Sequence, residues 1–232
     1  MDQYQASCGD KKLDVYRFPF ELVDANMYFI PSGDTGIVID PNENEELLFI
    51  FEKCGTKRVV IVLTHEHYDH TIGVIWLQSK IETKLFCHKA CAEAIATEKG
   101  NDPKTLGIIL TIRDAADGGT RRDEFMAVAK RYVLHADETF DDVCDFRIGD
   151  ITLKCYPAPG HSPGSALYLL DGKYIFTGDS LIQDTPTILR LPGSDRMIFK
   201  KITEPFLKSL NEEMTVFPGH GNPFRIEEAT YL

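Results

Sequence analysis

The chain reads as an α/β protein of layered architecture, with two mixed β-sheets and helices packed on their outer faces. Three observations predict it. Short apolar strands separated by turn residues open each half of the chain, and segments of helical spacing follow later in each half. Between them, RVVIVLT (58–64) is a continuous apolar run, as expected of a strand covered on both faces. A length of 232 residues can bury a sizeable core. No linker composition or low-complexity tract interrupts it, so residues 1–232 read as one domain.

VYRFPF, ANMYFIP and TGIVID are the first strands, with Pro31-Ser32-Gly33-Asp34 as a turn. Over Asn42–Cys54 the apolar residues Leu47, Leu48, Phe51 and Cys54 recur at helical spacing, and Gly55 can end that helix. After RVVIVLT, TIGVIWLQS reads as a helix, KLFC as a strand, and KACAEAIATEKG as a helix closed by Gly100. DITLKCYPA, SALYLLD and KYIFTG are strands of the second half, with Asp171-Gly172 as a hairpin turn. Asp195–Leu210 has a helical pattern. TVFPG is a last strand, and a short C-terminal helix is expected after it.

Residues 99–140 break the pattern. The segment is charged, contains Gly118-Gly119, and has helical spacing at Phe125, Val128, Ala129 and Tyr132. It reads as an insertion between the halves, either a surface excursion or a lid over a substrate pocket.

Composition narrows the function classes. Hydrophobic content of 43% and charged content of 26% are those of an ordinary globular protein. A net charge of −11 disfavours a nucleic-acid partner, since no basic cluster exceeds Lys57-Arg58 or Arg121-Arg122. No apolar run is long enough to span a bilayer, so no membrane association is expected. The N-terminus lacks the pattern of a secretory signal, which implies a cytoplasmic location. The six cysteines (Cys8, Cys54, Cys87, Cys91, Cys144 and Cys155) then read as reduced thiols. Cys87 and Cys91 form a C-x3-C pair with no second pair, which reads as buried packing rather than a metal site.

The chemistry is concentrated in THEHYDHTIG (64–73). The chain has seven histidines, and His65, His67 and His70 fall with Asp69 within six positions after the buried strand. Imidazole and carboxylate are good ligands for a divalent cation, and a strand-to-helix turn lets them converge. One short loop cannot complete two coordination spheres. Further ligand-type residues follow other apolar strands: His161 in YPAPGHSPGS, Asp179 in YIFTGDSL and His220 in VFPGHGNP. Taken singly, His161 or His220 would be a hydrogen-bonded turn residue and Asp179 a helix cap. Seven such positions, each at a predicted strand end, point to a shared metal site. Tyr68 reads as a packing residue of the turn, and His88 and His135 match no motif.

H-x-H-x-D-H at 65–70, GHSPGS at 160–165, TGDS at 177–180 and PGHG at 218–221 resemble, in order and spacing, the metallo-β-lactamase fold hydrolases. The resemblance implies an αββα sandwich with two divalent metals at one edge. It implies that His65, His67 and His161 bind the first ion, that Asp69, His70 and His220 bind the second, and that Asp179 bridges them. Zinc is the metal implied, with iron or manganese as alternatives. A water activated between two ions would be the nucleophile, and Asp69 would be the catalytic group that orients it or takes its proton.

Within the family, GHSPGS, TGDSL, LPGSD (191–195) and PGHG are most similar to the branch related to glyoxalase II (hydroxyacylglutathione hydrolase), which implies hydrolysis of a thioester such as an acyl-glutathione. Two departures stand against a direct transfer. TILR (187–190) replaces the usual Gly-Arg-Thr-Asp, and only about a dozen residues follow His220, with no helical C-terminal domain. A lactonase or β-lactamase would use the same metals. A mononuclear iron persulfide dioxygenase would not need all of Asp69, His70 and His220. A diiron flavoprotein partner would carry Glu in place of His67, and a metal-stabilised scaffold would not need an open site. The partner expected is a small-molecule substrate, with a homodimer left open.

Overall fold

A computed structural model describes residues 1–8 and 11–232; the side chain of Cys8 lies outside the described residues. Among the described residues the strands form two mixed sheets. The first runs in order β1 (Asp2–Cys8), β2 (Lys11–Phe20), β3 (Ala25–Ser32), β4 (Thr35–Ile39), β5 (Arg58–Leu63), β6 (Glu82–His88) and β7 (Glu138–Phe140). It is antiparallel up to β4 and parallel from β4 to β7. The second runs β13 (Phe224–Arg225), β12 (Thr215–Pro218), β11 (Tyr174–Gly178), β10 (Ala166–Leu170), β9 (Ile151–Pro157) and β8 (Cys144–Ile148), with only β11 and β12 parallel.

Side-chain alternation builds the layers. In β4, Ile37 and Ile39 face the second sheet while Val38 faces outward; in β5, Val62 faces in while Val59, Ile61 and Leu63 face out. The space between the sheets is filled by Tyr28, Tyr168, Phe176 and Phe217 among others. The outer face of the first sheet is covered by α1 (Glu45–Cys54), α3 (Val74–Gln78) and α4 (Lys89–Ile95) through Leu47, Phe51, Leu77, Cys91 and Ile95. The outer face of the second is covered by a helical run from α7 (Arg196–Ile198) through a π-helical turn at Phe199–Thr203 into α8 (Glu204–Lys208), which buries Phe199 and Leu207. This is the layered αββα order expected from the sequence.

The helix signals hold at α1. The Asn44 side chain accepts from the Glu46 N–H, and Gly55 ends the helix at φ 71°. Elsewhere the structure departs from expectation. TIGVIWLQS belongs to α3 and to a separate one-turn helix, α2 (Tyr68–Thr71), which starts within the histidine motif. The helix after KLFC stops at Ile95, short of Gly100. The C-terminal helix is one 3-10 turn, Ile226–Glu228. Strands β1 and β8 at the sheet edges add to the expected set; each alternates polar and apolar residues and turns Tyr4 and Ala6, or Cys144, Phe146 and Ile148, toward the core between the sheets.

The 99–140 segment folds into α5 (Lys104–Asp117) and α6 (Arg121–Val128), and its last residues form β7 at the edge of the first sheet. It is anchored by its own small core, where Leu106, Leu110 and Phe125 pack on Val23, Ala25 and Tyr68. Cys54, Cys87, Cys91, Cys144 and Cys155 are free thiols. No helix among the described residues is long and apolar enough to cross a membrane.

Candidate metal centre

The sequence-predicted residues sit where strands of both sheets end on one edge. β5 leads into His65 and His67, β9 into His161, β11 into Asp179 and β12 into His220. The two sheets are tied together at this edge: Ala166 N donates to Thr64 O at 2.8 Å and Asn26 N to Gly219 O at 2.7 Å.

All seven residues come together as two facing sets. In the first, His67 Nδ1 lies 3.1 Å from His65 Nε2 and 3.0 Å from His161 Nε2. In the second, Asp69 Oδ2 lies 3.7 Å from His70 Nε2 and 3.4 Å from His220 Nε2. Asp179 stands between them. Its Oδ1 is 3.4 Å from both His70 Nε2 and His220 Nε2, and its Oδ2 is 3.6 Å from His161 Nε2.

Acceptor groups on the far side of each ring fix which nitrogen points inward. His161 Nδ1 donates to Ile188 O at 3.0 Å and His220 Nδ1 to Val23 O at 2.9 Å. His70 Nδ1 donates to Asp40 Oδ2 at 2.9 Å. Thr64 Oγ1 donates to the same Asp40 oxygen, so it accepts from His65 Nδ1 at 3.0 Å. These four rings therefore turn Nε2 inward, while His67 presents Nδ1.

The donor sets fit divalent cations on two counts. His70 Nε2 and Asp179 Oδ1 are buried with no hydrogen-bond partner, although buried polar atoms are rarely left so. The spacing within each set is also that of groups able to share one ion.

The electrostatics differ between the sets. Burial and neighbouring imidazoles push His65 down; burial likewise lowers His67, and it lowers His161 to about 4. Burial also acts on His70 and His220, but the Asp69 and Asp179 carboxylates overcome it, raising His220 to about 10 and His70 well above its usual range. Asp69 and Asp179 pay desolvation too, yet the facing imidazoliums hold Asp69 down at about 2 and Asp179 well below the carboxylate range.

Glycines make room for the centre. A Cβ on Gly178, which sits at φ 49°, would collide with Thr64; one on Gly219 would strike Asp179 Oδ1 and lie 2.9 Å from His70 Cε1.

Sequence reasoning missed the residues that hold these donor side chains in place. Asp40, at the end of β4, binds the Thr64 N–H and His70. Glu66, buried within the motif, accepts from Ser162 Oγ at 2.9 Å and Gly164 N at 3.3 Å, joining the loop of His65 and His67 to that of His161. Asn26 donates to Pro218 O and Gly221 O on either side of His220, and is itself held by Arg17. LPGSD also has a role: Ser194 Oγ donates to His161 O at 2.7 Å. A signal was present for Asp40, the terminal residue of a strand like Asp179, but nothing in the sequence paired it with His70. His88 caps α4, and neither Cys87 nor Cys91 belongs to any metal-capable group among the described residues.

The centre opens into a cavity of about 170 Å³ whose floor includes His67, Asp69, Asp179 and His220. Val23, Leu106, Ile109, Ile182, Ile188 and Leu191 give it apolar walls.

The model of the metallo-beta-lactamase superfamily matches residues 21–220. The chain belongs to that superfamily. Among its relatives, the probable metallo-hydrolase YqgX of Bacillus subtilis (strain 168) is 26% identical over 208 residues, covering 88% of this chain and 89% of its own length. A hydroxyacylglutathione hydrolase of Anaeromyxobacter dehalogenans (strain 2CP-C) is 23% identical over 197 residues; the match spans 85% of this chain but 61% of that protein. The solved structure of the BLEG-1 B3 metallo-beta-lactamase superposes with a TM-score of 0.73 at 22% identity, over 92% of this chain and 95% of that one. At that identity the likeness speaks for the shared superfamily fold.

Proposed function

We propose that the chain is a metal-dependent hydrolase that cleaves a thioester or ester, with acyl-glutathione-like compounds as the model substrates. The observation that carries this reading is the division of Asp179, which turns one carboxylate oxygen to each of two donor sets at the floor of an apolar-walled cavity. His65, His67 and His161 would hold the first ion and Asp69, His70 and His220 the second, with Asp179 offering one carboxylate oxygen to each set. Two divalent ions, zinc by the character of the donors with iron or manganese also accepted, would supply an activated water and a Lewis acid for the substrate carbonyl.

The chain's own residues do the rest. His161 and His220, locked through backbone carbonyls, keep the floor rigid, so the reacting groups meet a preorganised surface. Asp69 faces the cavity and remains ionised near neutral pH, so it can orient the attacking water and accept its proton. Leu106 and Ile109 on α5 form part of the apolar wall, and residues 99–140 act as a lid in this reading. A cavity of about 170 Å³ suits the acyl part of a small molecule.

The relative named hydroxyacylglutathione hydrolase supports a thioester substrate, although that protein is considerably longer than the match. The departure at TILR meets the site through the Ile188 backbone carbonyl, which any residue would supply, through Ile188 in the cavity wall, and through Thr187 Oγ1, which donates to Ser180 O at 3.0 Å. The experiment is turnover of thioesters, lactones and β-lactams by protein of measured metal content. Thioester hydrolysis with close to two divalent ions per chain is expected. One iron per chain with oxygen consumption would overturn the hydrolase reading, and preferential β-lactam cleavage would move the substrate class.

A further inference from the structure

We infer that Arg113 and Lys99, both on the 99–140 segment, form an anion-recognition subsite that selects substrates carrying a carboxylate beyond the scissile bond. This rests on the hydrolase reading and names its substrate class.

Both side chains line the same cavity as His67, Asp69, Asp179 and His220. Arg113 is half-buried on α5, and Lys99 is exposed at the rim, one residue before Gly100. Neither has a hydrogen-bond or ion-pair partner among the described residues. That sets Arg113 apart from the other arginines of the segment. Arg121 pairs with Asp114 and Asp117, Arg122 with Asp123, and Arg131 with Asp102.

The obvious internal partner is already engaged. Asp102 also lines the cavity, but its carboxylate accepts from Arg131 at 2.6 Å and from Lys104 N at 3.1 Å. In a chain of net charge −11, acidic groups to neutralise Arg113 were plentiful, yet none is placed against it. A half-buried guanidinium gives up some hydration and offers a fork of donors suited to a carboxylate. Leu106, Ile109, Ile182, Ile188 and Leu191 give apolar wall beside Thr105 and Thr185. The cavity therefore offers three features to one ligand: hydrolytic donors at the floor, apolar contact along the walls, and cationic donors on the lid side. A linear thioester with a terminal carboxylate matches all three.

The test uses the metal-loaded full chain and matched thioesters that differ only in a terminal carboxylate or carboxamide, over a series of increasing methylene spacers. The readout is the ratio of kcat/KM for the acid over the amide. Wild type should prefer the acid at one spacer length. Arg113→Ala should lower the ratio by roughly 10- to 100-fold, mainly through KM, as expected for loss of a charge-assisted hydrogen bond. Arg113→Lys should keep part of the preference, Arg113→Glu should reverse it, and Lys99→Ala should give a smaller loss than Arg113→Ala. Arg122→Ala, a charge change of the same sign away from the cavity, should leave the ratio unchanged.

Equal losses on acid and amide would assign Arg113 a structural role and overturn the inference, as would a wild-type ratio near one at every spacer length. A binding arm keeps this separate from the hydrolase reading. The unreactive thioether acids and amides of the same series are titrated calorimetrically into wild type and Arg113→Ala. If no thioester is turned over but the thioether acid binds more tightly than the amide, and Arg113→Ala removes that difference, the hydrolase reading fails and the anion subsite stands. If acid and amide bind alike, the subsite fails whatever the turnover.

Discussion

Asp40 and His70 lie 30 positions apart in sequence and meet at 2.9 Å, both buried, at the edge where the two sheets join. Asp40 also accepts from the Thr64 backbone N–H at 2.7 Å. A single carboxylate at the end of β4 thus orients the ring that presents Nε2 to the second donor set and holds the strand end that carries His65. Such outer partners keep a ligand ring in one orientation and raise its basicity.

Asp40→Asn should therefore keep the fold and weaken the second site. Asp40 sits at φ 50°, which asparagine tolerates at least as well, so no backbone strain is added. Affinity for the second ion should fall roughly 10- to 100-fold, with the first ion little changed. Titration of bound metal against a competing chelator measures this. Unchanged affinity for both ions would remove Asp40 from the positioning role.

Gly219→Ala addresses the space rather than the charge. Gly219 does not need a left-handed backbone, so the substitution acts through its methyl group alone. That methyl would fall on Asp179 Oδ1, 2.8 Å from the Gly178 carbonyl carbon and 2.9 Å from His70 Cε1. The expected result is a folded protein that binds about one divalent ion rather than two and has lost turnover. Elemental analysis beside a thermal melt decides it; two ions retained at full activity would show that the centre tolerates the intrusion.

The parts of this site legible in the sequence are those with short-range signatures. The seven donor residues follow strands whose apolar runs are plain, from RVVIVLT to TVFPG, so strand ends and ligands could be read together. The αββα layering was legible because β4 and β5 carry apolar residues to both faces. What escaped depends on contacts between distant segments: Asp40 with His70, Glu66 with Ser162, Asn26 with the Pro218 and Gly221 carbonyls. Each is an ordinary polar residue until a second segment arrives. The π-helical turn at Phe199–Thr203 escaped for a similar reason. It sits where Phe199 packs against Gly160, leaving no room for a side chain there, and apolar periodicity alone does not show it.

Tyr68 shows how the inserted helices connect to the centre. It follows His67, and its hydroxyl donates to Lys130 O at 2.8 Å while its ring packs edge-on against Phe125. Tyr68→Phe keeps the ring packing and removes only the hydroxyl, a loss of about 1 kcal/mol. Amide exchange over 121–132 should then accelerate roughly five-fold, while β5 and β11 stay protected. Acceleration spread evenly over the whole chain, or none at all, would show that this hydrogen bond does not hold the segment.

Charge separates the two donor sets, and pH should expose it. In the metal-free protein His220 is raised from 6.5 to about 10 and His70 well above 6.5, so both carry protons at pH 7; His65, His67 and His161 lie below their ordinary value and are neutral. An ion needs the bare nitrogen, so loading at pH 7 should release about two protons per chain, both from the second set. As pH falls, occupancy of the second set should fail first, because its histidines must surrender protons, while the first set holds until pH approaches about 4, where His161 titrates. The metal-free protein should show the converse dependence. A raised histidine pKa contributes stability that is complete below 6.5 and is lost as pH rises through about 10, so its melting temperature should fall across that window. The Asp69 partner contributes above 3.8 and loses its contribution as pH falls through about 2, while the lowered His65, His67 and His161 cost stability as pH falls below 6.5, so the metal-free cluster is strongest near 6.5. An indicator dye in weakly buffered solution counts the released protons, and melts with and without chelator follow stability. Loading with no proton release, or both sets losing metal over one pH range, would show that the two sets do not differ in charge.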